Sequence, residues 1–252
     1  MTDEVDVPES HPRYQSLLTR HRIEAGVEKG LTHEQGLIAE GRGEAFDYLL
    51  GEETIQSADE AARAAAAHLL LADHPVLSVN GNVAALVPGE MVALAEATGA
   101  ALEVNLFNRT GDRVAAIADH LRDHGADEVL GEDADATIPG LDHERARVAA
   151  DGIPAADVVV VPLEDGDRAA ALGEMGKTEI VVDLNPLSRS AQAAAVPIVD
   201  NIVRAVPNVT EHARGLQGAS RADLEAVVGE FDADDHLAAA ERAIRRGVGR
   251  ER

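Results

Sequence analysis

The stretch "DVVVVPLEDGDRAAALGEMGKTEIVVDLNPLSRSAQ", Asp157 to Gln192, decides the fold. Four valines run into Pro162, and a second β-branched run, Ile180-Val181-Val182, ends at Asp183. Between them lies "DRAAALGEMG", an amphipathic segment of helix length. Strand, helix, strand is a βαβ unit, and such units build parallel sheets whose strands are apolar on both faces.

Outward from this unit the same alternation continues. After His74-Pro75 come "VLSV", "LEVNLF" and "DEVL", separated by "GEMVALAEATG" and "GDRVAAIADHLRDHG", while "AVPIVDN" adds a sixth strand before a helix around "IVRAVP". The expected fold is α/β: a Rossmann-like, mostly parallel sheet with helices on both faces, spanning 73–210. Residues 1–72 read as an N-terminal helical region packed on that core. Its helices are expected after a Ser10 cap, from Thr32 to Gly51, and after a Ser57/Glu60 capping box. Residues 211–252 read as two C-terminal amphipathic helices, and the whole as one compact unit.

Composition bounds the function. Of 252 residues 45% are apolar, but only 2% are aromatic and none is Trp, so the core is built of Ala, Val, Leu and Ile. The formal charge is −24, with two lysines (Lys29, Lys177) against twenty arginines. Such a surface repels polyanions, which excludes nucleic acid as a partner. At molar salt the Debye length falls to roughly 3 Å and dense carboxylates repel one another less, so a halophilic protein is expected. With no Cys, disulfides and thiolate chemistry are absent. "MTDEVDVPES" is acidic where a signal peptide is basic, and no apolar run reaches the roughly 18 residues of a membrane span. A cytoplasmic protein with no membrane partner is the expectation.

Ligands of open α/β sheets bind beyond the carboxyl ends of the strands. Those ends carry Asn80-Gly81-Asn82, then Asn105, Asn108 and Arg109, then Glu164, Asp165, Asp167 and Arg168, and finally Asp183, Asn185 and Arg189. One such cluster is an ordinary turn or solvated loop; four on one sheet edge indicate a site. The common signatures are missing. No G-x-G-x-x-G follows a strand, "GEMGKT" lacks the first P-loop glycine because Ala171 stands there, and no G-x-S-x-G occurs. His120 and His124 share a helix face without a third metal ligand. Arg13, Arg20, Arg42, Arg109, Arg168, Lys177 and Arg189 are the cations available to an anionic ligand. The residues alone point to a site for something anionic.

The blocks "SHPRYQSLLTR", "GLIAEGRGEAFDYLLGEET", "PVLSVNGNVAALVP", "LEVNLFNRT", "IPGLDHERARV", "ADVVVVPLEDGDR", "VVDLNPLSRSAQ" and "IVDNIVRAVPN" closely resemble the archaeal phosphopantothenate synthetases, over nearly the whole chain. The acid-rich, Lys-poor composition is similar to that of a haloarchaeal member. The resemblance implies an ATP-dependent, homodimeric ligase that joins 4-phosphopantoate to β-alanine through an acyl-adenylate, releasing AMP and diphosphate. It further implies ATP contacts at Arg20, Arg42, Asp183, Leu184, Asn185, Arg189, Ser190, Asn201 and Ile202. Ser190 stands where many members have Thr, and Ala169-Ala170 where relatives show Thr-Glu.

On that footing Arg20, Arg42 and Arg189 neutralise the triphosphate, with Mg²⁺ bridging its oxygens. Asp183 takes the ribose or the metal, and Asn185 and Asn201 the base or ribose. Asn80, Gly81, Asn82, Arg109 and Lys177 are candidates for the substrate's phosphate and carboxylate. Glu164, Asp165 and Asp167 are candidates for holding the β-alanine ammonium or accepting its proton. Arg189, Lys177 and Asp165 are the expected catalytic set, with no protein metal ligand assigned. The rival functions are a pantoate kinase, which releases ADP, and a nucleotide-binding protein without turnover.

Overall fold

A computed structural model describes residues 8, 10, 11, 13–163 and 166–247. Helices α1 (Tyr14–Glu28), α2 (Gln35–Leu50) and α3 (Gln56–Leu71) precede β1 (Pro75–Val79), α4 (Gly81–Leu86), α5 (Pro88–Thr98), β2 (Ala101–Val104) and α6 (Gly111–Asp123). A small pair follows, β3 (Ala136–Thr137) and β4 (Arg147–Val148), joined through a 3₁₀ turn at Glu144–Ala146. The chain continues with β5 (Val158–Pro162), α7 (Gly166–Glu174), β6 (Thr178–Asp183), α8 (Arg189–Ala193) and β7 (Val196–Val199), and ends with α9 (Ile202–Leu216), α10 (Arg221–Glu230) and α11 (Ala233–Arg246).

The main sheet has five strands in the order β2-β1-β5-β6-β7, every neighbouring pair parallel. Side chains alternate across it as the two-residue period requires. Leu77, Val79, Val158, Val160, Ile180 and Val182 face the core shared with the Ala-rich α3, α5 and α9. Val76, Val159, Val161 and Val181 face the opposite core, with Ile138, Ile153 and Leu172. Both faces are covered, which is why these strands are valine runs rather than alternating sequences.

Three sequence expectations shift. "DEVL" is not a strand: only Leu130 joins the sheet, through a single bridge to Glu103. Asp127 and Glu128 are exposed, and Gly131 turns the chain away at φ 98°, where a Cβ would lie 2.4 Å from the Val104 carbonyl. The sixth run, "AVPIVDN", does form a strand, β7, so the main sheet has five. The Ser57/Glu60 box does not form, because α3 starts at Gln56 with Ile55 at its N-cap and Ser57 lies inside the helix. Likewise α1 starts after Arg13 rather than after Ser10.

The strand order reverses between β1 and β5, since β1 leads to β2 on one side while β5 to β7 extend on the other. A crevice is expected at the carboxyl ends of such a pair. Asn80 holds it together: its Nδ2 donates to Pro162 O at 3.0 Å, and its Oδ1 accepts from the backbone N–H groups of Asn82 and Val83, capping α4. Helix α2 lies across this edge. It is tied at one end by Asn82 Nδ2 to Gly36 O (3.0 Å) and at the other by Asn201 Nδ2 to Asp47 Oδ2 (3.1 Å). Glycines on α2 permit the approach, since a Cβ at Gly36 would sit 2.2 Å from Asn82 Oδ1.

Candidate active site

The cleft under α2 consists of two cavities. The first, of about 370 Å³, is walled by Arg42, Ala45, Phe46 and Leu49 of α2, Leu163 after β5, the Asp183–Pro186 loop after β6, and Ile244 of α11. It is an apolar slot with a carboxylate and an amide at one rim. The second, of about 320 Å³, lies on the β1–β2 side under His33, Gln35, Gly36, Ala39 and Arg42. Asn80, Gly81, Asn82, Asn108, Arg113 and Arg145 line its other walls. Arg42 and Leu163 belong to both.

The loop after β6 is shaped by its own side chains. Asp183 Oδ1 accepts from Asn185 N (3.1 Å), Asn185 Oδ1 accepts from Leu187 N (3.0 Å), and Ser188 donates its hydroxyl to Asp183 Oδ2. Successive Asx turns of this kind hold backbone away from helix and strand. Ser188 then caps α8 by accepting from Ala191 N.

A buried polar network joins α2 to the β7–α9 junction. Arg204 donates to Asp47 Oδ1 (2.7 Å) and Asp200 Oδ1 (2.7 Å), and Thr54 donates to Asp200 Oδ2 (2.6 Å). Burial pushes the Asp200 carboxyl up in spite of Arg204. Two turns before Asp47 on α2, Glu40 is only 7% exposed, with one carboxylate oxygen lacking a hydrogen-bond partner among the described residues. Burial first, and then the neighbouring Asp47, raise its pKa to about 7.

The site residues expected from sequence divide accordingly. Arg42, Asp183, Leu184 and Asn185 gather in the first cavity; Asn80, Gly81 and Asn82 line the second. Asn201 and Ile202 are buried at the start of α9, with the Asn201 side chain engaged by Asp47 and by Val203 N. Ser190 is buried in α8. Arg189 and Asp167 pair with each other at 2.8 Å, both exposed and outside either cavity wall. Arg20 also lies outside the walls. It forms a two-point ion pair with Glu44 (2.7 and 2.6 Å), whose carboxyl stays low despite burial because Arg20, Tyr48 and Arg13 surround it. Glu164 and Asp165 lie outside the described residues.

Two of the expected residues lie apart from both cavities. Lys177 precedes β6, so the length of that strand, about 20 Å at ~3.3 Å per residue, separates it from the cleft. Its ammonium caps the carbonyls of Pro154 (2.6 Å) and Ala156 instead. Arg109 turns away from the second cavity to the carbonyls of Gly131 and Glu132. In its place stand Arg113 and Arg145, which sequence reasoning passed over. Arg113 is three residues after the Thr110 cap of α6, and Arg145 sits in the 3₁₀ turn of "DHERAR"; neither spacing marks a ligand-binding cation. Phe46, Leu49 and Ile244 were missed for a plainer reason: apolar residues on amphipathic helices read as core.

Residues 57–247 match the phosphopantothenate/pantothenate synthetase family. The chain belongs to that family. It is similar to the 4-phosphopantoate–β-alanine ligase of Thermococcus kodakarensis, 58% identical over 229 residues that cover 90% of this chain and 88% of the relative. The ligase of the same name from Thermococcus onnurineus is 59% identical over 229 residues, with the same coverage. That from Methanosarcina mazei is 53% identical over 227 residues, 90% of this chain and 89% of the relative. No helix among the described residues is long and apolar enough to cross a membrane.

Proposed function

We propose that this synthetase joins 4-phosphopantoate to β-alanine, forming 4′-phosphopantothenate for coenzyme A biosynthesis at the expense of ATP cleaved to AMP and diphosphate. The observation that carries the reading is the pair of cavities meeting at Arg42 and Leu163, one apolar-walled and one lined by cations. The first suits a nucleoside, with Phe46 and Leu184 against the base and Asp183 or Asn185 at its polar edge. The second suits the phosphorylated acid.

In this arrangement the acid's carboxylate oxygen attacks the α-phosphorus near Arg42, diphosphate leaves, and an acyl-adenylate remains. The β-alanine nitrogen then attacks the acyl carbon, loses a proton and expels AMP. Two anions must be brought together, so preorganised positive charge and alignment supply most of the acceleration. Arg42 makes no hydrogen bond or ion pair among the described residues and so meets the ligands unencumbered. Arg189 reaches the phosphates by exchanging Asp167 for them, since an exposed pair of this kind holds by less than ~1 kcal/mol. Asp167, released, joins Glu164 and Asp165 as a candidate for the ammonium of β-alanine. Among the described residues no three carboxylate or imidazole groups cluster as a metal site. A Mg²⁺ ion would therefore be held chiefly by the triphosphate, with Asp183 the carboxylate in that cavity's wall.

The functional unit in this reading is a homodimer. Leu37, Ile38 and Tyr48 are exposed on α2, with Gly41 also exposed between them, a helix face suited to a second copy. The acidic, Lys-poor surface fits a halophilic, cytoplasmic enzyme. The test is purified protein in molar KCl with ATP, Mg²⁺, 4-phosphopantoate and β-alanine. AMP and diphosphate forming in step with the amide supports the reading; ADP alone, or ATP binding without turnover, overturns it.

A further inference from the structure

Among the described residues Leu163 is the one non-glycine with a positive φ, 54°; the other such positions are glycines, Gly131 and Gly176 among them. A glycine would turn the chain here without strain, whereas a Cβ makes the conformation unfavourable. Neighbouring strands hold the leucine in it. Its N–H donates to Val182 O (3.0 Å), and the preceding Pro162 carbonyl accepts from Asn80 Nδ2 (3.0 Å). The side chain is partly buried against the core under α3, α5 and α9, and Leu163 belongs to the walls of both cavities. On the nucleotide side it adjoins a lining that includes Phe46, Leu49 and Leu184; on the other side the same wall holds Leu106 and Phe107. A turn alone does not require leucine, so the side chain has a use that outweighs the strain.

We infer that Leu163 shields the acyl-adenylate from water where the two cavities meet, so that the amine and not water takes the acyl group. This deepens the ligase reading and rests on it. The mixed anhydride forms at the meeting point of nucleotide and acid, beside Arg42 and Leu163. Two nucleophiles compete for its acyl carbon. The β-alanine nitrogen forms the amide, losing a proton and expelling AMP. A water oxygen does the same but returns the free acid, so ATP is consumed with no amide formed. Water outnumbers any amine, and excluding it is what keeps a reactive intermediate on its productive course. Aliphatic walls give a water molecule no hydrogen-bond partners, and a site without them stays dry.

The experiment compares AMP with amide. With ATP, Mg²⁺, 4-phosphopantoate and β-alanine, wild-type protein should form the two in equal amounts. Leu163→Ala and Leu163→Gly should raise the AMP-to-amide ratio several-fold and keep releasing AMP when β-alanine is omitted. In ¹⁸O-water the returned acid should then carry the label. Leu163→Met conserves the volume and should stay coupled. Of the two truncations, glycine should fold with an equilibrium constant about fivefold larger, because it accepts the left-handed backbone that alanine resists. Equal stability of the two would remove the strain that marks this position. Truncated variants that keep the wild-type ratio, lose AMP and amide together, or release intact acyl-adenylate into solution would overturn the shield while the ligase reading stands. Wild-type protein that forms no AMP would overturn the ligase reading itself.

Discussion

Arg42 and Leu163 face each other across the cleft as the residues common to both cavities. One comes from a helix laid over the sheet edge and the other from the end of a central strand. Leu163 adopts φ 54°, the left-handed region that a branched side chain avoids. Strain of this sort, about 1–3 kcal/mol, is retained where surrounding structure demands it. Here it turns the chain out of β5 while keeping the Leu163 side chain in the dividing wall.

Arg42→Gln should therefore impair the enzyme through both substrates. With its position at the junction, kcat/KM is expected to fall about 100- to 1000-fold, as for loss of a preorganised charge stabiliser. Steady-state kinetics in each substrate decide it. A change confined to KM for ATP would place Arg42 on the nucleotide only.

Asp47 receives both Arg204 and Asn201 while almost fully buried. Asp47→Ala strands the Asn201 amide and leaves Arg204 with Asp200 alone. A loss of about 2–4 kcal/mol is expected in denaturant unfolding, together with weaker ATP binding as α9 shifts. Unchanged stability would show that the network is not under tension from α2.

Glu40 gives the pH dependence its sign. Its folded pKa of about 7 lies above the ordinary carboxyl value, so between roughly pH 4.5 and 7 the folded state binds more protons than the unfolded one. This group's contribution is largest at low pH and declines as pH rises to about 7. Glu40→Gln removes the penalty, so the variant should gain on wild type between pH 5 and pH 8, by up to about 3 kcal/mol. Paired unfolding curves at the two pH values test it; a pH-independent difference would mean that Glu40 does not change protonation on unfolding.

Ile38 is 77% exposed on the apolar α2 face. Ile38→Glu adds a charge there without touching the core, and light scattering should report monomers where wild type gives dimers. A wild-type monomer, or a variant that remains dimeric, would move the interface elsewhere.

Much of this was legible in the primary sequence. Four consecutive valines at 158–161 and the run at 180–182 specify strands buried on both faces, because no other short element is apolar on every side. The polar triplets after them fall on one edge because parallel strands all end at the same side. Local hydrophobic period also placed the long helices; it did not mark the short α4 and α8, it misplaced caps such as Ser57, and it failed at "DEVL", where two exposed acids precede a turning glycine.

Which cation enters the cleft was settled only by tertiary structure. Arg109 and Arg113 are four residues apart, yet carbonyls at Gly131 and Glu132 draw one away while Leu31 O and Asn108 O hold the other at the cavity wall. Lys177 follows the same rule, captured by backbone at the far end of β6. The sequence by itself determined the sheet, the edge at which its polar strand ends gather and the supply of guanidinium groups, since these depend on period and chain direction. The division of the edge into two cavities, and the arginines that face them, depend on where α2 crosses and which carbonyls remain open, and no local pattern encodes either.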